Sequence, residues 1–394
     1  MSISTASLPS PRAGRLAGAS LRGARSRIGV EAGESWIRLA QCWVKGGRHG
    51  WQTAAFQISD PVRKGSRAAG RARLRAAGIR GTEAVCALNS PYVDVFPLTL
   101  EPRPAEALEA QIVARAGEQL SYPPGEAVLD YALLPQAALR PGGEGATVLV
   151  FAAPRRVVGA LLESLESIGL SVGRLLTPAC ALAPHFATEP GSRGLAVCTG
   201  DEATSVAVIQ DHEVLIERIL PWGLGRLAEL LSAELGLPAA QCRRLLTRAQ
   251  GQPGAADSDE PVQAQRHPAS PDSEEGGKET GTPAPGAARS LATPEPFDCA
   301  VEHILGPALQ ELAQEAAACL GYCDSFLQHI PAKSVILTGP LAHLAPMHQL
   351  IENELGLHAG PAGPVLPGFT EGGEVLGHAV AACCALWPGE GGAR

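Results

Sequence analysis

Apolar and polar positions alternate along two separated stretches of the chain, and both stretches share one layout. In the first, residues 28–32 (IGVEA) read as a strand, Gly33-Glu34 as a turn and SWIRLAQCWV as a second strand; after Gly46-Gly47, WQTAAFQI reads as a third. In the second, GLAVC, TSVAVI and EVLIERIL read as strands, separated by Thr199-Gly200-Asp201-Glu202 and by Gln210-Asp211-His212. Period-two alternation bounded by Gly, Asn and Asp marks hairpin-linked strands. A three-strand meander thus occurs twice, about half a chain apart, as a duplication of layout rather than a short-period repeat.

Mixed α/β sequence lies between the two meanders. Residues 63–80 read as a basic surface helix ending in a glycine turn, EAVCAL as a strand, Asn89-Ser90-Pro91 as a turn and YVDVFPLTL as an alternating strand. Residues 104–120 have helical spacing with proline at the start. VLDYALL, a glycine loop at 141–145 and TVLVFAA follow, and then a helix over 155–168 that stops at Gly169. After Leu220 the spacing predicts helices over 224–235, 239–249 and 297–329, a buried strand SVILTG, a helix near 342–355 and a last small-residue helix over 374–386. Residues 250–296 carry Gly, Pro, Ser, Asp and Glu with almost no large apolar side chain, and are expected to be a disordered acidic insertion. The expected layout is therefore a disordered basic tail over 1–26, a first lobe over 27–193 with an inserted subdomain at about 80–190, a second lobe over 194–386 and a flexible tail over 387–394.

Composition narrows the function classes. The 394 residues are 45 % hydrophobic but only 4 % aromatic, so the core must be built from Ala, Leu and Val. A net charge of -8 argues against bulk nucleic-acid binding. No stretch of eighteen or more apolar residues is present, so no membrane span is expected. The basic N-terminal stretch lacks the apolar middle of a secretory signal; it is expected to be disordered, with contact to an anionic membrane surface as the sharper alternative. The ten cysteines form no CxxC pair, and Cys319 with Cys323 and the neighbours Cys383 and Cys384 are expected to be core packing.

The chemistry-bearing candidates are the two glycine turns. A glycine turn between strands can offer backbone N–H groups to phosphate, so Gly33-Glu34-Ser35 and Gly200-Asp201-Glu202 could face one cleft and hold a nucleotide. Tight hairpins use glycine in any case, so each turn alone is a weak signal. There is no P-loop, since Gly277-Lys278 is followed by Glu279, and neither a GxSxG elbow nor an HExxH motif occurs. No catalytic residue is assigned.

The order of these segments resembles the PilM family of type IV pilus assembly proteins, within the actin-like ATPase superfamily. IGVEAGESWIRLAQC resembles its opening strand–loop–strand, ALNSPYVDVFPLTLEP its proline turn, and YPPGEAVLDYALL its Val-x-Asp-Tyr stretch. VLVFAAPRRVVGALLESLESIGL, LAVCTGDEATSVAVIQDHEVLIERILPWG and VILTGPLAHLAPMHQLIENELGL resemble the strand–helix, second phosphate and adenosine segments. The resemblance implies an α/β, actin-like, FtsA-like two-lobed fold with a duplicated β-meander. It implies a cytoplasmic protein at the inner face of the inner membrane that binds ATP with magnesium and grips the cytoplasmic N-terminal tail of the bitopic membrane protein PilN. Other pilus components would be further partners, nucleic acid would not, and self-association is left open. By resemblance, Glu31 takes the place of a metal-associated Asp. Gly33, Glu34 and Ser35 form the first phosphate loop, Cys198, Gly200, Asp201 and Thr204 fall in the second, and Thr338 and Gly339 open the nucleoside loop.

Four residues depart from the family pattern. Glu34 places negative charge and Trp36 bulk at the first loop, Cys198 replaces a carboxylate before the second glycine, and Pro340 deletes an N–H in the nucleoside loop. Weak or absent ATP hydrolysis is expected, that is, a pseudo-ATPase scaffold. The alternatives are a GspL-like type II secretion scaffold, which would carry a membrane span that this sequence lacks, and an active ATPase or kinase of the same superfamily, for which Asp201 and Glu202 are the only well-placed acids.

Overall fold

The computed structural model describes residues 25–45, 48–57, 66–101, 105–135, 146–185, 191, 193–247, 296–327, 330–361 and 378–387. The expected tail before Arg25, the loop at 141–145, nearly all of the acidic stretch at 250–296 and the terminal residues after Trp387 lie outside them.

The first meander forms β1 (Ile28–Ala32), β2 (Trp36–Lys45) and β3 (Arg48–Gln57). It is extended on the other side of β1 by β4 (Glu83–Leu88) and β8 (Ser171–Leu176), giving the order β3-β2-β1-β4-β8. The second meander forms β9 (Arg193–Thr199), β10 (Thr204–Gln210) and β11 (Glu213–Leu220), extended by β12 (Ala332–Thr338) and β13 (Ala359–Pro361) in the order β11-β10-β9-β12-β13. In both sheets the meander is antiparallel and the two added strands are parallel. The duplication read from the alternation is thus a duplication of strand order and direction. A third sheet, β5 (Asp94–Leu100), β7 (Ala146–Pro154) and β6 (Ala127–Leu133), is antiparallel throughout and sits between β4 and β8 in the chain.

Helices cover the sheets as their apolar stripes require. On the first sheet, α1 (Ser66–Ala76) and α3 (Arg155–Ser167) put Leu74, Val158, Leu161 and Leu165 against Ile28, Val30 and Ala32. The third sheet packs α2 (Ala105–Gly117) through Ile112 and Ala116. On the second sheet lie α5 (Leu224–Leu235), α6 (Ala239–Thr247), α7 (Pro296–Phe326) and α8 (Ala345–Leu355). Within α7, Leu305, Leu309, Leu312, Ala316, Cys319 and Cys323 recur at helical spacing and are all buried, so the two cysteines are core residues.

Two short helices not resolved as joints from sequence hold the sheets together: α4 (Pro178–Leu182) and α9 (Ala379–Ala385). Because strands alternate, β1 shows Gly29 and Glu31 to the face opposite Val30, and β9 shows Ala196 and Cys198 opposite Leu195 and Val197. Those inner faces meet on α4 and α9 in one cluster of small side chains containing Ala40, Val85, Ala181, Ala196, Cys198 and Ala382. A Cβ at Gly29 would overlap the Ala381 carbonyl oxygen, so only glycine lets α9 lie this close to β1. At the start of α4, Glu217 of β11 is buried and accepts hydrogen bonds from Ser205 Oγ (2.6 Å), Ala179 N (3.2 Å) and the Thr177 hydroxyl. No helix among the described residues is long and apolar enough to cross a membrane.

Candidate functional site

The two glycine turns meet at the seam between the sheets, as two loops facing one cleft would. Ser35 donates to Glu202 Oε1 from its hydroxyl and, at 3.3 Å, from its backbone N–H. The place a Cβ would take at Gly33 is occupied by Glu202 Oε2, and the equivalent place at Gly200 by Asn89 Nδ2. The glycines are therefore used for close approach of protein to protein.

Charge runs across the same seam. Arg38 on β2 pairs with Asp201 at 2.6 Å, and the pair is 10 % and 3 % exposed at its side chains. Arg243 on α6 binds the other Asp201 oxygen and stacks its guanidinium over Trp36, 5.0 Å from the ring centroid. On β1, directly across from Arg38 in the β1–β2 register, Glu31 is buried and accepts from Asn89 Nδ2 at 3.1 Å. Burial is the main cause that pushes its carboxyl up to about 7; Arg38 and Asn89 pull the other way, and Asp201 and Glu202 add to the rise. Burial lowers Arg38, but Asp201 and Glu31 outweigh it and hold the guanidinium above its ordinary value. The arginine donors at the seam thus face Asp201, while Glu31 Oε2, Asn89 Oδ1 and Glu202 Oε2 are buried acceptors without a hydrogen-bond partner among the described residues.

The remaining predicted positions are close by but turned elsewhere. Thr204 is buried and spends its hydroxyl on the Trp222 carbonyl at 2.9 Å. Cys198 is buried in the inner face of β9, where burial raises its thiol. Thr338 and Gly339 lie against Thr199, whose hydroxyl donates to the Thr338 carbonyl at 2.9 Å and accepts from Leu341 N at 3.3 Å. Gly339 has φ +94 and a Cβ there would overlap the Thr199 carbonyl, so this loop is also packed tight. Glu34 is exposed and lines a pocket of about 310 Å³. That pocket lies between the β1–β2 turn, the end of β4 and α3, and is lined by Glu34, Ser90, Tyr92, Arg156, Val157 and Leu161, among others. Arg156 sits over the Tyr92 ring at 5.5 Å. Burial, then Glu202, raises the Glu34 carboxyl, and Arg156 lowers it. Among the described residues no group of three or more His, Cys, Asp or Glu gathers closely enough to hold a metal ion.

Sequence reasoning singled out neither Arg38, Arg243 nor Asn89. The available signal was Arg38 itself, a charge inside the apolar strand SWIRLAQC, since a buried arginine needs a buried counter-charge.

Two sheets of one strand order, joined at a seam entered by paired glycine turns, define the chain as an actin-like two-lobed protein. Among solved structures it is similar to the PilM-PilN type IV pilus biogenesis complex, with a TM-score of 0.63 and 20 % identity over 92 % of this chain and 98 % of the matched one. Ethanolamine utilization protein EutJ from Carboxydothermus hydrogenoformans matches at a TM-score of 0.46 and 13 % identity, over 92 % and 89 % of the two chains. The cytoplasmic domain of EpsL, an inner-membrane component of the Vibrio cholerae type II secretion system, matches at 0.34 and 15 %, over 57 % and 78 %. No protein-family model and no curated protein sequence matches the chain.

Proposed function

We propose that this chain is a nucleotide-independent actin-like scaffold of a type IV pilus assembly machine, at the cytoplasmic face of the inner membrane, holding the N-terminal tail of a bitopic PilN-like protein. The observation that carries the nucleotide-independent half is Glu202 lying on Ser35 and Gly33. A triphosphate needs N–H donors and cations around its oxygens, whereas this seam spends Arg38 and Arg243 on Asp201 and leaves unpaired acceptors. ATP with magnesium does not fit the residues present. For the partner half, the support is the likeness to a structure of PilM with PilN, together with the pocket beside Glu34. Its Leu161 and Val157 wall would take an apolar side chain of an extended tail, and Glu34 and Arg156 would meet the tail's charges.

The test has two arms. Titration with a fluorescent ATP analogue and magnesium should give no saturable binding in the micromolar range; micromolar binding with steady phosphate release would overturn the first half. Tail peptides from bitopic pilus proteins should bind the full chain, and Ala160→Arg, at an exposed position lining the pocket, should abolish that binding without lowering Tm. Unchanged affinity in that variant would remove the pocket from the proposal.

A further inference from the structure

The molecule is acidic overall, yet one face of the first lobe is the reverse. Helix α1 carries Arg67, Arg71 and Arg75 at i, i+4 and i+8, which places them in one stripe, beside a core face made by Gly70 and Leu74. At the C-terminal end of the helix, Arg80 donates from Nη1 to the Arg75 carbonyl (3.1 Å) and Arg25 donates from Nη1 to the Gly78 carbonyl (2.9 Å). Those bonds complement the negative end of the helix dipole, which accounts for part of the cluster. They leave the positive charge uncompensated: burial, then the charge of Arg80, holds Arg25 below its ordinary pKa. The carboxylates on neighbouring elements are Glu83 on β4 and Glu163 and Glu166 on α3. Among the described residues none lies within ion-pair distance of Arg25, Arg67, Arg71, Arg75 or Arg80.

A second observation concerns the rest of the chain. Arg25 enters the fold at this same end, where it pairs as an isolated bridge with Trp43. The sequence preceding it adds Arg12, Arg15 and Arg22 and has no acidic residue. The chain that leads into Arg25 is therefore basic in sequence, like the stripe that Arg25 adjoins.

We propose that this face, α1 with Arg80 and Arg25, is a docking surface for an anionic lipid bilayer. Arg67 and Arg75 are exposed and Arg71 is half-buried beside Gly169, with no aromatic side chain on α1, so they offer nothing for bases to stack on, whereas each exposed arginine near a bilayer surface gains from its negative potential. The surface acts without the tail-binding partner, so its test is separate from that of the scaffold reading. Full-length protein should co-sediment with phosphatidylcholine vesicles containing phosphatidylglycerol and not with phosphatidylcholine alone. At about 1 M salt, where screening reaches about 3 Å, binding should vanish. Arg67→Gln with Arg75→Gln should weaken binding on the order of 30-fold, about fivefold per arginine. Arg73→Gln, on the opposite flank of the same helix, should change it far less. Both sites are exposed, and an unchanged Tm checks that the fold persists. Equal binding to neutral vesicles, no binding to acidic ones, an undiminished double variant, or retention by single-stranded RNA in place of vesicles would each overturn the proposal.

Discussion

Replacing Asp201 by Asn tests whether the seam is a structural joint. In the native protein the Asp201 carboxylate is 3 % exposed and holds Arg38 at 2.6 Å, while Arg243 takes its second oxygen. Water cannot replace it there, so the substitution leaves a guanidinium that is 10 % exposed without its paired carboxylate, with Glu31 and then Glu202 as the remaining charges that act on it. Breaking a buried pair by removing one partner costs about 3–5 kcal/mol, whereas an exposed pair is worth about 0–1 kcal/mol. The expected loss for Asp201→Asn is therefore about 3 kcal/mol, read as a lower urea midpoint. Arg38→Met should cost less, because Asp201 keeps Arg243. The double variant should lose less than the sum of the singles, with a coupling of about 2 kcal/mol in a double-mutant cycle. A loss below about 1 kcal/mol for Asp201→Asn, or additive effects, would mean that the pair is solvated and the seam opens freely.

Three further outcomes follow from the same geometry. Gly29→Ala should cost about 3 kcal/mol or more and lower Tm by several degrees, because its Cβ meets backbone of α9 rather than a side chain that could move. Glu217→Ala should cost about 2–4 kcal/mol in the same melt, since it strands the Ser205 and Thr177 hydroxyls and the Ala179 N–H inside the joint. Glu31 keeps a proton in the folded state up to about 7, while the unfolded chain releases it near 4.5. Folding is therefore progressively penalised as pH rises through that window, by up to about 3 kcal/mol, and Glu31→Gln should be neutral near pH 4.5 but stabilising at pH 8 in thermal melts.

The fold was legible where periodicity was strong. Both meanders, α5 and α7 follow from turn residues that bound short apolar runs or from helical spacing, although β1, β9 and β10 are buried on both faces and so carry a weaker alternation than a half-exposed strand would. The strands β8 (SVGRLL) and β13 (AGP) were missed for a physical reason. One is half-exposed with Gly and Arg inside it, the other is three residues with a proline, and only their parallel neighbours β4 and β12 make them strands. Helix α4 is five residues long and owes its start to Thr177 and to Glu217, which is distant in sequence. At the site, the glycine turns were found and their meeting was foreseen, but Ser35 and Glu202 stand 167 residues apart. No local pattern encodes such a contact: the turns are local, while the side chains that fill the space beside their glycines, Glu202 at Gly33 and Asn89 at Gly200, come from elsewhere in the chain.

The small-residue helix α9 has a consequence for how the protein is made. Its alanines and cysteines wedge between two sheets whose inner faces are mostly small side chains, with Trp51 and Ile209 toward the edges as the large ones. Each sheet has its own outer core of leucines and valines, so each half of the nascent chain can condense as it emerges. The halves gain their common interior only when residues 379–385 have been synthesised and threaded back to β1. Filling of the shared interior therefore waits for the C-terminal end of the chain, and a chain cut before residue 379 would keep both outer cores while leaving the joint between the sheets unsealed.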